Sequence, residues 1–366
     1  MKIKAVTLRD FRNYEEMTLE LSDGINILYG KNAQGKTNFV EAVYFAACGR
    51  SHRTGFDKEM IRFGERIAGI RVVVEKGMIM DKIDVNIKKE GKKAVAVNGV
   101  AVKKLSELFG VLYAVIFSPE DLGLVSEGPS IRRRFIDAEI CQLSAVYYHD
   151  LSQYIKILKQ RNALLKEIIK KRTSADTLFM WDEQLVFHGK KIMDGRKKFI
   201  NKLNQMAMNI HEKITDRRET LNIEYKKNVE SDEFLEKLKK GRERDIALGA
   251  TSVGVHKDDI IFSLNGIDAR AFASQGQKRT ISLALKMAEI ELIKTETGEK
   301  PVLLLDDVFS ELDKHRQNAL LEGIEGVQTI ITCTGINAIN YGMFNSDGVK
   351  VYSVEKGNIF SENGVL

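Results

Sequence analysis

Proline and cysteine are scarce in this 366-residue chain, three of each, and no apolar run approaches the ~18 residues that a membrane span needs. No transmembrane helix is therefore expected. The N-terminal stretch "MKIKAVTLRDFRNY" alternates apolar and charged residues and lacks the continuous apolar core of a secretion signal, so a cytoplasmic protein with no membrane partner is expected. Cys48, Cys141 and Cys333 are scattered without metal-ligand or C-x-x-C spacing, which argues against a disulfide framework and suits a reducing compartment. Pro119, Pro129 and Pro301 fall at junctions, consistent with proline kept out of element interiors. A strong overall charge is also lacking, at a formal +6. Residues 151 to 246 nevertheless hold 23 Lys/Arg against 15 Asp/Glu, so the positive charge is concentrated in the middle of the chain.

What is present is an ordered change of pattern. Between residues 1 and 115, "KIKAVTL", "GINILY", "GIRVVVE", "KIDVNIK" and "AVAVNG" alternate or are β-branched and read as strands. From about 140 to 245 the period becomes helical, with Leu151, Tyr154, Ile155, Leu158, Leu165, Ile168 and Ile169 recurring on one face. Strand patterns return at "DIIFSLNG", "PVLLLDD", "QTIITCT" and "GVKVYSV", with a helix expected over 277–295. The expected organisation is one α/β domain made of residues 1–120 and 247–366, split by a helical insert at 121–246. No internal repeat occurs, and no heptad run is long enough for a coiled-coil arm.

Three motifs carry chemistry. "GKNAQGKT" follows the apolar stretch "GINILY" and precedes a helix, expected to be amphipathic and to end at Gly49. In that context Gly30, Lys31, Asn32, Ala33, Gln34 and Gly35 form a loop whose backbone N–H groups can surround phosphate. Lys36 reaches the outer phosphates, and Thr37 offers its hydroxyl to Mg²⁺. "PVLLLDDVFSELD" is a buried strand ending in two acids, where carboxylates are costly unless they meet a cation or polar solvent. Asp306 is expected to hold Mg²⁺ and Asp307 to orient or deprotonate an attacking water, with Glu311 the next candidate for that water. Finally, Ser274, Gln275, Gly276 and Gln277 open a long helix about 30 residues before the acidic strand.

The order of these motifs resembles the ABC-type ATPase head shared by transporters, SMC proteins and Rad50. Over nearly the whole chain the sequence is similar to the RecF family, through "LRDFRNY" at 8–14, "RSHRT" at 50–54, "FSPEDL" at 117–122, "GPSIRRRFID" at 128–137, "LKQRNALLK" at 158–166, "GVHKDD" at 254–259, "SQGQKR" at 274–279 and "LLLDDVFSELD" at 303–313. The resemblance implies an α/β, ABC-type head with mixed sheets, an inserted helical lobe and no long coiled coil. It implies ATP and Mg²⁺ as cofactors, an ATP-dependent homodimer, and work with RecR and RecO in recombinational repair. It also implies that Ser274 to Gln277 cover the nucleotide of a partner subunit, and that Asp313 of "SELD" and Thr332 lie at the nucleotide.

Two departures from the general ABC pattern accompany the resemblance. No glutamine occurs between Gln34 and Gln142, so Glu120 or Asp121 is expected in place of the usual lid glutamine. Thr332 or Thr334 stands where a switch histidine is usual, and Asp307 is one methylene shorter than the usual catalytic Glu. Slow turnover is expected. His52 and His256 are further polar contacts to consider, and Arg132 to Arg134 are candidates for phosphate.

Basic clusters at Lys170–Arg172, Lys190–Lys191, Arg196–Lys198 and Arg217–Arg218 have few aromatic residues among them, which favours duplex backbone over unpaired bases. Duplex or gapped DNA and single-strand junctions are the expected nucleic-acid partners. Other readings are a small-molecule kinase, which has no need of the motif at 274–277, and an SMC-like clamp, which needs longer arms.

Overall fold

The computed structural model describes residues 1–309, 312–335 and 348–362, and Glu311, the alternative water-activating residue, lies outside them. Among the described residues no helix is long and apolar enough to cross a membrane. The chain divides into two compact units, Met1–Asp121 with Ser282–Leu366, and Leu122–Ile281.

The first unit begins with β1 (Lys2–Phe11), β2 (Tyr14–Glu20) and β3 (Ile25–Tyr29), then α1 (Lys36–Cys48), β4 (Ile67–Lys76), β5 (Ile79–Lys88), β6 (Ala94–Val97), β7 (Val100–Ala101) and β8 (Ala114–Phe117). One antiparallel sheet has the order β2-β1-β4-β5-β6-β7. Its strands alternate as the sequence does, with Val72 and Val74 buried on the core face and Arg71 turned to solvent.

The second unit holds α2 (Gly123–Ser126), α3 (Pro129–Leu143), α4 (Ala145–Ile169), α5 (Leu178–Ile214), β9 (Leu221–Lys226), α6 (Phe234–Lys240), α7 (Arg242–Leu248), β10 (Asp259–Leu264), β11 (Ile267–Asp268) and α8 (Ala269–Phe272), and α9 (Gln275–Thr297) leads out of it. Pro129 opens α3 at its first position, where no backbone N–H is needed. α5 has 37 residues, about 55 Å at 1.5 Å per residue, and packs along α4. Arg161 of α4, wholly buried, donates to Asp182 of α5 at 2.8 Å and to Asp245 of α7 at 2.7 Å.

The unit boundary differs from the sequence expectation. The pattern puts "DIIFSLNG" in the α/β domain of residues 1–120 and 247–366. Instead β10 pairs antiparallel with β9, a strand hidden inside the helical stretch, from Asp259↔Lys226 to Leu264↔Leu221. That pairing ties residues up to Ile281 to the helical unit.

The chain then returns through β12 (Val302–Asp306), α10 (Lys314–Gly323), β13 (Thr329–Cys333), β14 (Val349–Glu355) and β15 (Asn358–Ser361). The second large sheet of the first unit has the order β15-β14-β3-β13-β12-β8; all neighbours are parallel except the β15 edge. α1 packs against β1, β4 and β5 of one sheet and β8, β12 and β13 of the other. It is therefore buried all round, from Phe39 to Cys48, and the expected amphipathic helix is not observed. Its end at Gly49, in the left-handed conformation, is as expected.

Candidate nucleotide site

In a parallel sheet, ligands collect beyond the carboxyl ends of the strands. Here the register places Leu28 of β3 beside Thr332 of β13, and Thr332 beside Asp306 of β12. The glycine loop, the two acids and Thr332 thus converge at the carboxyl ends of three central strands.

The loop runs from Gly30 to Gly35 and delivers the chain into the N-terminus of α1, where free N–H groups and the helix dipole favour an anion. Gly35 has φ +127°, and a Cβ there would meet Asn13 Nδ2 and Tyr14 Oη, each at 2.9 Å. Those two residues clamp the loop. Asn13 Nδ2 donates to Gln34 O at 2.7 Å and Tyr14 Oη to Gly35 O at 2.9 Å. From the other side, Lys356 N donates to Gln34 Oε1 at 2.8 Å and Gly357 N to Gln34 O at 3.0 Å. Gln34 therefore serves the loop's shape, while Lys31, Asn32 and Ala33 are exposed at its tip. Lys36 is buried, and its Nζ donates to Gly30 O at 2.7 Å and Lys31 O at 3.0 Å.

Asp306 is buried, and burial pushes its carboxyl pKa up. Thr332 and Thr37 act against that rise as hydrogen-bond donors, while the charges of Asp307 and Glu120 add to it. Thr37 Oγ1 donates to Asp306 Oδ1 at 2.9 Å, and Thr332 Oγ1 donates to the same oxygen at 2.8 Å. A buried acid facing a hydroxyl at the head of the phosphate loop is a donor set of hard oxygens suited to Mg²⁺. Thr332 is buried and also accepts from Asp307 N at 3.0 Å, so it positions the two acids. Asp307 has φ 55°, a left-handed conformation that Asp tolerates better than most residues.

Of the two lid candidates, Asp121 is committed elsewhere. It accepts from Ser118 N at 2.7 Å and pairs with Lys286 at 3.2 Å. Burial raises its pKa against the pull of that lysine. Glu120 is exposed, and its charge is felt at Asp306. Asp313 is exposed and caps α10 by accepting from Arg316 N at 2.9 Å.

Glu41, one turn beyond Thr37, was missed by motif reading. Burial would raise its pKa, but Arg12, Ser51 and Arg53 hold it below the usual carboxylate range. Arg12 grips it with two bonds, at 2.9 and 2.8 Å. A polar residue inside an otherwise apolar helix is the sequence signal that such partners exist. His52 packs edge-on against Tyr44 of α1, with ring centroids 5.5 Å apart.

Ser274 to Gln277, the signature turn that opens α9, belong to the unit Leu122–Ile281. Ser274 and Gln275 are exposed. Ser274 Oγ accepts from Gln277 N at 3.2 Å and Gln277 Oε1 from Ser274 N at 2.7 Å, a reciprocal capping box at the start of α9. Gln277 Nε2 donates to Glu219 at 2.7 Å. Gln277 thus shapes the turn and does not project from it.

Several basic and histidine candidates are structural in the same unit. His256 Nε2 pairs with Thr251 O at 3.0 Å and Nδ1 with Tyr154 Oη at 2.8 Å; burial lowers its pKa to about 4, so it stays neutral. Arg132 is buried in a two-bond pair with Asp259, at 2.8 and 3.0 Å, and Arg133 Nη1 donates to Asp258 O at 2.6 Å. Arg196 is also buried, bonded to Asp137 and Asp258 at 2.9 Å. It therefore leaves the DNA-facing cluster, whereas Lys197 and Lys198 remain exposed.

The family profile described as RecF/RecN/SMC N terminal domain matches residues 2–359. The chain is 47% identical over 359 residues to the DNA replication and repair protein RecF of Lachnoclostridium phytofermentans, covering 98% of this chain and 99% of that one. It is 48% identical, over the same shares, to that of Agathobacter rectalis. Among solved structures it is similar to the recombination mediator protein RecF with ATP in the RecFOR pathway, with TM-score 0.90, 36% identity, and 99% and 98% of the two chains covered. The Smc head domain of Pyrococcus furiosus, bound to the C-terminal domain of ScpA, matches with TM-score 0.56 at 15% identity, covering 99% of this chain and 96% of that one, and shares the fold. The fold is thus an α/β ABC-type ATPase head with mixed sheets.

Proposed function

Because the chain belongs to the RecF/RecN/SMC N-terminal domain family and, over 98% of its length, to the RecF proteins, we propose that it is a DNA replication and repair protein that binds ATP, dimerises around it and thereby holds DNA. The observation that carries this reading is the convergence of the clamped glycine loop, Thr37, Asp306 and Asp307 at the carboxyl end of one parallel sheet, in a chain that also presents an exposed signature turn.

The loop's N–H groups and Lys36 bind and orient the phosphates. Thr37 and Asp306 would hold Mg²⁺, which neutralises charge on the outer phosphate oxygens when bound. Asp307, fixed through its backbone by Thr332, orients the water that attacks the terminal phosphate. Ser274 and Gln275 of a second copy close over that phosphate, so hydrolysis removes the group that joins the two copies. Hydrolysis is slow and acts as a release switch. The RecFOR setting of the ATP-bound relative supports RecR and RecO as partners in loading a recombinase at gapped DNA and single-strand junctions.

Sedimentation with and without ATP, and with and without duplex DNA, tests the reading: ATP is expected to produce a dimer and the dimer to bind duplex more tightly. A chain that stays monomeric with ATP and duplex present would overturn it. Ser274→Arg is expected to remain monomeric with ATP, while loss of the cap costs only about 1 kcal/mol of stability. Ser274→Asp keeps a capping oxygen yet sets a carboxylate against the terminal phosphate, so it too should fail to dimerise. An ATP-dependent dimer of Ser274→Asp on a sizing column would assign Ser274 to capping alone.

The basic surface has its own test. Reversing Lys197 and Lys198 to Glu is expected to weaken duplex binding and flatten its salt dependence by about 0.9 in log–log slope per lost phosphate contact. Arg196→Glu is expected instead to melt the unit early, since leaving buried carboxylates without their partner costs about 3–5 kcal/mol. Unchanged salt dependence in the Lys197/Lys198 variant would move the DNA surface off α5.

A further inference from the structure

The side-chain amide of Gln277 is held at both ends. Oε1 accepts from Ser274 N, and Nε2 donates to Glu219 Oε1, each at 2.7 Å. The shape of the signature turn therefore depends on where Glu219 stands. Glu219 lies on the short link between the end of α5 and β9, and His211 Nε2 of the last α5 turn is 3.9 Å from its other carboxylate oxygen.

That link is tightly wound. Asp216 and Arg217 both have positive φ, 50° and 59°, a conformation that non-glycine residues keep only where their surroundings enforce it. The enforcement is visible: Arg217 N donates to Glu212 O at 2.7 Å, Arg218 N to Thr215 O at 3.0 Å, and Thr215 Oγ1 to Glu219 O at 3.4 Å. The same turns present Arg217 and Arg218 to solvent, with Arg218 paired to exposed Asp216 at 3.0 Å.

We propose that Glu219 is a positioning residue of the signature turn, and that backbone phosphates of duplex DNA act on that turn through Arg217 and Arg218. The proposal rests on the ATP-dependent DNA-binding reading above. A phosphate drawn to the two arginines competes with Asp216 for Arg218. Because the link is wound back onto α5 by its own hydrogen bonds, displacement of Arg217 and Arg218 carries Glu219 with it. Glu219 in turn moves Gln277, which sets Ser274 and Gln275 against the nucleotide of the other copy. Coupling of this kind is reciprocal: the factor by which ATP tightens duplex binding is the factor by which duplex tightens ATP binding.

The test is the ratio of duplex affinities with and without ATP, measured by titration on the full chain for wild type, Glu219→Ala, Glu219→Gln and the Arg217→Ala/Arg218→Ala pair. A purely structural defect that lowers both affinities alike does not move this ratio. Glu219→Ala is expected to bring the ratio to about one. Glu219→Gln should restore it, because its carbonyl accepts the same Gln277 N–H. The double arginine variant should lower both the affinity and the ratio. A wild-type ratio in Glu219→Ala, or no restoration by Glu219→Gln, overturns the proposal and leaves the parent reading intact. A wild-type protein whose duplex binding ignores ATP overturns both.

Discussion

Replacing Lys36 by alanine is expected to leave a folded chain that no longer retains ATP, with affinity lower on the order of 100-fold or more. Lys36 is buried, and its ammonium sits between two loop carbonyls, Gly30 O at 2.7 Å and Lys31 O at 3.0 Å. It thus holds the strand end and the loop tip together while keeping a positive charge at the floor of the phosphate cradle. Removing it eliminates at least one charge-assisted bond to phosphate, about 1.5–3 kcal/mol each, and frees the loop carbonyls as well. Two such losses reach about 3 kcal/mol, and 1.4 kcal/mol is tenfold in affinity. Lys36→Met, which keeps the aliphatic bulk, separates charge from packing and should lose nearly as much. Lys36→Arg should bind ATP better than either but hydrolyse it poorly, because a planar guanidinium does not fit where a compact ammonium meets two carbonyls. Calorimetric titration with ATP checks all three. An unchanged affinity in Lys36→Ala would remove the nucleotide from this loop.

Much of the first unit was legible because its signals are local. A β-branched strand, a glycine loop and a helix follow one another without interruption from Gly24 to Gly49, and the acidic strand ends where its apolar run ends. What sequence concealed was pairing at long range. The polar residues of α1 suggest a wet face, yet Glu41 is buried because Arg12 and Arg53, from two other segments, meet it there. The strand "LNIEYK" lies among helical segments rich in lysine, and only its partner β10 makes it a strand. That single pairing moved the unit boundary.

Arg196 is a different case, because the sequence carries the signal of its burial. Ile192, Met193, Phe199, Ile200 and Leu203 form the buried stripe of α5, and Arg196 lies on it, whereas Lys197 and Lys198 do not. Three basic residues adjacent in sequence are parted by the helical period, which buries Arg196 and exposes Lys197 and Lys198. Between Glu120 and Asp121 no sequence argument decides, since the outcome depends on Lys286 being within reach of Asp121.

Asp307→Asn is expected to stop hydrolysis while sparing ATP binding, with turnover lower by about 100-fold or more, the usual worth of a positioned general base. The substitution is chosen for its backbone. Asp307 has φ 55°, and Asn adopts that conformation readily, whereas alanine would add strain and confuse a folding effect with a chemical one. The bond from Asp307 N to Thr332 Oγ1 survives, and so does the pair of Thr37 and Asp306 that would hold Mg²⁺. What disappears is a single negative charge at the strand tip, close enough to Cys333 to help burial push that thiol up to about 11. Without it the attacking water is neither oriented nor relieved of a proton, the terminal phosphate stays in place, and the ATP-bound dimer should accumulate. Two measurements on one sample decide the matter: phosphate release and the dimer fraction on a sizing column with ATP. Slow release with a persistent dimer assigns the water to Asp307. Release at the wild-type rate would pass that role to Glu311, the first acid of the "SELD" that follows it. Slow release without a dimer would mean that the Asp307 charge helps close the two copies, and that hydrolysis and dimerisation share one residue.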